Sequence, residues 1–149
     1  MKPLHTATLA LTATLVACGP LGLDCTAMGC IGSLIVNLPT ASLADAEYIL
    51  TLERDGTTEQ CTFALPFDAA SAVCNQGSEL ALNGNTISLN HPLEMGMQFD
   101  SVFVELSEQE VTLVSETLDI EWAEPIYPNG KACDDGFGCY SAEVEISLD

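Results

Sequence analysis

The sequence predicts an all-β protein, a single antiparallel β-sandwich of seven or eight strands stapled by disulfides. Three observations predict it. From residue 33 onward, short apolar runs alternate with polar residues at period two. Turn-forming pairs, among them Asp55-Gly56 and Asn129-Gly130, separate those runs at regular intervals. Seven cysteines are spread from position 18 to position 139, the pattern of an exported, disulfide-linked chain. No unit of 20–50 residues repeats, so the chain does not read as a solenoid or a propeller.

Each strand has its own reason. Ser33 to Leu38 is apolar and β-branched. Tyr48, Leu50 and Leu52 alternate with Thr51 and Glu53, and Asp55-Gly56 then marks a hairpin. The return strand runs from Thr58 to Leu65, with Cys61, Phe63 and Leu65 on one side, and Pro66 ends it. Residues 67–78 read as a loop with one helical turn around Asp68–Val73. A second hairpin joins 79–82 to 86–89 through Asn83-Gly84-Asn85. Ser101 to Leu106 places Val102, Val104 and Leu106 inward. Val111 to Trp122 is a long strand with Val111, Leu113, Leu118, Ile120 and Trp122 inward and a bulge near Ser115. Residues 125–138 are irregular, because Pro128, Asn129-Gly130 and Asp135-Gly136 crowd them. The last strand, Tyr140 to Leu148, turns Ala142, Val144, Ile146 and Leu148 to one face. Acidic residues occupy the other face of most strands, as in a sheet wetted on one side.

The first residues have a separate logic. Met1-Lys2 carries one positive charge, and Leu9 to Ala17 is apolar and too short for a membrane span. The run ends at Leu15-Val16-Ala17-Cys18, which resembles the lipobox of bacterial lipoproteins. The resemblance implies a signal peptide over 1–17 and lipid on Cys18, which becomes the first mature residue. One acyl chain anchors marginally, while two or more anchor stably. Gly19 follows Cys18; the aspartate that retains such proteins at the inner membrane is absent, which favours the outer membrane. Residues 18–24 form a tether with a reach of about 20 Å. The sandwich domain then occupies 25–149, with its surface close to the bilayer.

Charge narrows the partners. Without residues 1–17, only Arg54 and Lys131 oppose 22 acidic residues. Nucleic acid is excluded, because its binding needs phosphate neutralisation by Lys and Arg. Docking on anionic headgroups is excluded by the same deficit. The lipid is the expected membrane contact, and the expected state is a monomer facing an unidentified envelope protein or ligand.

Setting Cys18 aside leaves Cys25, Cys30, Cys61, Cys74, Cys133 and Cys139, an even number. Proximity favours Cys25–Cys30, Cys61–Cys74 and Cys133–Cys139. The first and last pairs have the alternative of cross-connecting the chain ends. The C-x4-C and C-x5-C spacings miss the zinc pattern, and no paired histidines accompany them.

Cys25-Thr26-Ala27-Met28-Gly29-Cys30, the tyrosine strand with its Asp-Gly hairpin, and Tyr127-Pro128-Asn129-Gly130 ahead of Cys133 and Cys139 together resemble small cysteine-containing lipoproteins of myxobacteria. That resemblance implies an Ig-like or transthyretin-like sandwich and brings no catalytic residues. The Asp-Asp-Gly-Phe-Gly segment between Cys133 and Cys139 is longer and more acidic than the pattern.

No catalytic constellation is visible, and the chain is not expected to be an enzyme. His91, the only histidine outside residues 1–17, lies before Pro92 and reads as a loop histidine without a nucleophile context. Asp134 and Asp135 are the candidate metal ligands; calcium would need further oxygens, from Asn129 or a loop carbonyl, and no EF-hand spacing is present. Trp122 reads as core, and Tyr127 and Phe137 as loop aromatics that either pack locally or form a recognition patch. The expected function is a non-enzymatic, lipid-anchored binding or structural module, with a cation-dependent adhesion domain using loop 129–138 as the alternative.

Overall fold

The computed structural model describes residues 31–94, 96–134 and 136–148. The signal segment 1–17, Cys18, the tether, Cys25, Cys30 and Asp135 lie outside the described residues. Nine strands follow one another: β1 (Gly32–Pro39), β2 (Glu47–Arg54), β3 (Thr57–Ala64), β4 (Val73–Cys74), β5 (Glu79–Asn83), β6 (Thr86–Leu93), β7 (Ser101–Glu108), β8 (Val111–Asp119) and β9 (Ser141–Glu145). They form a four-stranded sheet, β5-β6-β1-β9, and a five-stranded sheet, β4-β3-β2-β7-β8. The chain is therefore an all-β sandwich. All strand pairings are antiparallel except β1–β9, which is parallel and returns the end of the chain alongside its first strand.

Period-two alternation builds the core. Leu34, Val36 and Leu38 of β1 and Ile87 and Leu89 of β6 face Tyr48, Leu50 and Leu52 of β2, Phe63 of β3 and Val102, Val104 and Leu106 of β7. Ala142, Val144 and Ile146 complete the layer, as their spacing predicts. Tyr48 is fully buried against Phe63, ring centroids 5.6 Å apart, and its hydroxyl donates to the Ala44 carbonyl at 2.9 Å. Burial, followed by the nearby Glu108 carboxylate, pushes the Tyr48 phenol above its ordinary pKa.

The β2–β3 hairpin closes at Asp55-Gly56 with φ of 45° and 74°, the left-handed pair a two-residue turn of matching twist requires. Pro92 sits within β6, but β5 reaches β6 only as far as Asn90, so the proline lies beyond that neighbour's end.

Three local expectations differ. Residues 67–78 contain no helix, only a hydrogen-bonded turn in which Ser71 N donates to the Asp68 carbonyl at 3.1 Å. Asp68 forms that tight turn, its Oδ1 accepting from Ala70 N at 3.0 Å, and Val73–Cys74 then pairs with β3. The bulge in β8 falls at Leu113, because Leu106 opposes Val114 while Ser107 opposes Thr112. Leu113 is the unpaired bulge residue and Val111 pairs with Glu108 at the hairpin end, and both are exposed, whereas Leu118, Ile120 and Trp122 reach the core as expected. Regular pairing in β8 also stops at Asp119, short of Trp122. There Trp122 donates from Nε1 to the Phe99 carbonyl at 2.9 Å and packs edge-on against Phe99 and Tyr140.

Candidate functional site

Alternation that fills the core also carries polar side chains into it. Glu59 shares the inward face of β3 with Cys61 and Phe63, two and four residues on. His91 shares the inward face of β6 with Ile87, Leu89 and Leu93. The two sheets thus bring a glutamate and a histidine together from opposite layers. His91 Nδ1 lies 2.5 Å from Glu59 Oε2, with both side chains buried. Ser78, just ahead of β5, adds its hydroxyl 2.8 Å from the same Nδ1, and its backbone N–H donates to Glu59 Oε1 at 3.2 Å. Arg54, at the end of β2, places Nη2 against His91 Nε2. Its guanidinium also stands 5.2 Å from the Phe99 ring centre and 3.3 Å from Met97 Sδ.

Donor capacity assigns the protons. Arginine only donates, so His91 Nε2 is the acceptor in its contact with Arg54. Its hydrogen is then on Nδ1, crowded by Ser78 Oγ and Glu59 Oε2. Burial pushes the Glu59 carboxyl up; bonds from His91 and Ser78 outweigh it and hold the group below the ordinary glutamate range. Glu59 is therefore a buried carboxylate, with Arg54 on the far side of the imidazole.

The Ser-His-Glu composition is that of a hydrolytic triad, but the wiring is different. A triad puts the carboxylate on one ring nitrogen and the nucleophile on the other. Here Ser78 and Glu59 share Nδ1, while Arg54 occupies Nε2. No nitrogen is left to take a proton from Ser78 while the carboxylate holds the ring. The cluster clamps the two sheets together.

This chain matches no family model, no curated relative and no solved structure.

The residues singled out from sequence fall elsewhere. His91 is a buried strand residue, not a loop histidine. Its neighbour Pro92 suggested a loop, whereas its spacing from Ile87 and Leu89 continues an inward row. Asp134 is buried inside the 127–138 loop, its Oδ1 accepting from Asn129 Nδ2 at 2.8 Å and its Oδ2 from the Asn129 backbone N–H at 3.3 Å. Both its oxygens are thus engaged in holding the loop. Tyr127 is half-buried and packs beside Gly138, with Lys131 Nζ 5.8 Å from its ring centre, whereas Phe137 is exposed. Cys61 and Cys74 form a disulfide, as expected, from directly opposed positions on β3 and β4. Cys133 and Cys139 are also disulfide-bonded.

Two concavities flank these elements. One, of about 250 Å³, is lined by Cys74, Ser78, Leu80 and Ala72 beside the buried cluster. The other, of about 510 Å³, lies between β9 and the 121–123 segment, with Ile35, Trp122, Glu121 and Glu143 among its lining residues.

Proposed function

We propose that this chain is a lipid-anchored, non-catalytic module of a bacterial cell envelope, more specifically of the outer membrane. Cys18 is the attachment point and the sandwich presents its groove and loops to an envelope partner. The observation that carries the reading is the Leu15-Val16-Ala17-Cys18 sequence, which closes a short apolar run behind a single lysine and leaves an even number of cysteines after it. The rigid, disulfide-linked sandwich supports it, because such a frame positions binding loops. The buried cluster supports the non-catalytic part, since its histidine is engaged on both nitrogens. The net charge of −19 favours a cationic partner surface over an anionic one. No helix among the described residues is long and apolar enough to cross a membrane.

The test is a Cys18→Ser variant expressed in a bacterial host with metabolic labelling by an alkyne fatty acid. The wild type should label and partition with membranes, and the variant should do neither. Labelling that persists in the variant overturns the anchor.

A further inference from the structure

We propose that, when the Cys61–Cys74 disulfide is reduced, Glu59, Cys61 and Cys74 form a binding site for a thiophilic divalent cation such as zinc(II). Sequence spacing hides this set, because its members are two and 13 residues from Cys61. Register assembles it. Glu59 and Cys61 share the inward face of β3, and Cys74 stands directly across from Cys61 on β4. Their ligand atoms all lie within 4.8 Å of one another. Two soft sulfurs and a carboxylate are a set that zinc accepts, with Zn–S of about 2.3 Å and Zn–O of about 2.0–2.2 Å. Tetrahedral coordination sets the two sulfurs about 3.8 Å apart, and side-chain rotation at Cys61 and Cys74, whose Cα atoms are 4.0 Å apart, allows that separation.

A second observation points to a cation. Glu59 is 3% exposed, and its Oε2 faces His91 Nδ1 at 2.5 Å, in an ion pair outside hydrogen-bond geometry. An ionised carboxylate has about four lone-pair sites, so Glu59 keeps acceptor capacity for a cation beside its His91 and Ser78 contacts. Access exists as well. Cys61 is fully buried, but Cys74 is half-buried and lines the pocket of about 250 Å³. The fourth coordination position would open toward that pocket.

The chemistry balances with a thiol or phosphine reductant. It delivers two electrons, two protons join the sulfurs, and the S–S bond is replaced by two thiols. The cation then displaces those two protons and forms two metal–sulfur bonds and one metal–oxygen bond. With Glu59 the ligands carry three negative charges, and the site's residual negative charge is offset by Arg54 through His91. Disulfide and metal are therefore exclusive states of one pair of sulfurs.

The experiment uses the full chain, reduced with a phosphine under nitrogen and freed of reductant. Cobalt(II) addition should give the visible d–d bands and near-ultraviolet charge-transfer band of tetrahedral thiolate coordination, and zinc should bleach them. The oxidised chain and a Cys61→Ala/Cys74→Ala variant should show neither band, although the variant keeps the other five cysteines. Glu59→Gln should weaken cobalt binding by about tenfold or more, the range seen when a metal's ligand environment is disturbed. Alkylation mapping gives a reading that needs no variant: one equivalent of zinc should protect Cys61 and Cys74 ahead of the other cysteines. Absence of the bands in the reduced wild type, their persistence in the double alanine variant, or zinc protection confined to other cysteines overturns the proposal.

Discussion

Replacing Glu59 by alanine removes the acceptor for which the buried cluster is built. Three groups lose by it. The Ser78 backbone N–H loses its partner at 3.2 Å, His91 Nδ1 loses its contact at 2.5 Å, and Arg54 loses the charge that balances it. An orphaned buried donor costs about 1–3 kcal/mol, and breaking a buried ion pair by removing one partner costs about 3–5 kcal/mol. The arginine is half-buried and partly solvated, and the serine hydroxyl still reaches the ring, so the lower part of the range applies. We expect Glu59→Ala to lower stability by about 3 kcal/mol, a large share of the 5–15 kcal/mol typical of a domain. Urea unfolding with disulfides intact, followed by tryptophan fluorescence, reads the change as a shift in midpoint at constant slope. A double-mutant cycle with His91→Ala separates the pair from simple truncation. The coupling should be about 1–2 kcal/mol, because the second deletion removes a ring whose partner is already gone. A loss below about 1 kcal/mol in Glu59→Ala, or strict additivity in the cycle, refutes the clamp.

The same carboxylate predicts a pH dependence. Its pKa is lowered in the folded chain, so its stabilisation is fully present above the unfolded value of about 4.3 and is lost as pH falls through the folded value. The stability difference between wild type and Glu59→Gln should therefore shrink on acidification, and a difference that grew instead would contradict it. Gly32→Ala and Gly138→Ala should each lose about 1–3 kcal/mol by thermal unfolding. A Cβ at position 32 would sit 2.5 Å from the Tyr140 carbonyl oxygen, and one at 138 would sit 2.5 Å from Pro125 Cβ. Cys61→Ala/Cys74→Ala should cost about 3 kcal/mol in the oxidised chain, the loop-closure value for a short bridge, checked by chemical unfolding. A triple Arg54→Met/Glu59→Leu/His91→Leu variant should match or exceed wild-type stability, since apolar replacements of a whole buried ion pair are commonly neutral or better; its near-ultraviolet circular dichroism should lose intensity if the polar clamp also fixes the packing of Trp122 and Phe99.

Period and turn chemistry made most of the frame legible. Tyr48-Leu50-Leu52, Val102-Val104-Leu106 and Ala142-Val144-Ile146 are inward rows in both sequence and structure. Asp55-Gly56 closes a hairpin for the backbone reason its residues suggest. Alternation in β8 points to a bulge near Ser115, but its position, at Leu113, and the exposure of the hairpin end at Val111 depend on pairing with β7 that local pattern does not encode. The parallel β1–β9 pairing was not legible either, since it joins segments more than a hundred residues apart and local pattern does not encode partners. At the cluster, Glu59 held a visible signal, two residues before Cys61 in an alternating strand. Acidic residues on neighbouring strands face water so often that the inward one did not stand out. His91 was hidden by Pro92, whose usual meaning fails here because β5 ends before it.

The cluster also bears on the surface. The domain beyond residue 17 has two cationic side chains, and the structure turns one of them, Arg54, toward the interior. The other, Lys131, lies over the Tyr127 ring within the loop. Neither cation is dispersed among the strand faces, so the outer sheet surfaces present carboxylates with little to offset them. Such a surface repels its own kind and anionic headgroups at separations up to a Debye length of about 8 Å at physiological salt. On that surface the concavity between β9 and the 121–123 segment sets Glu121 and Glu143 beside Ile35 and Trp122.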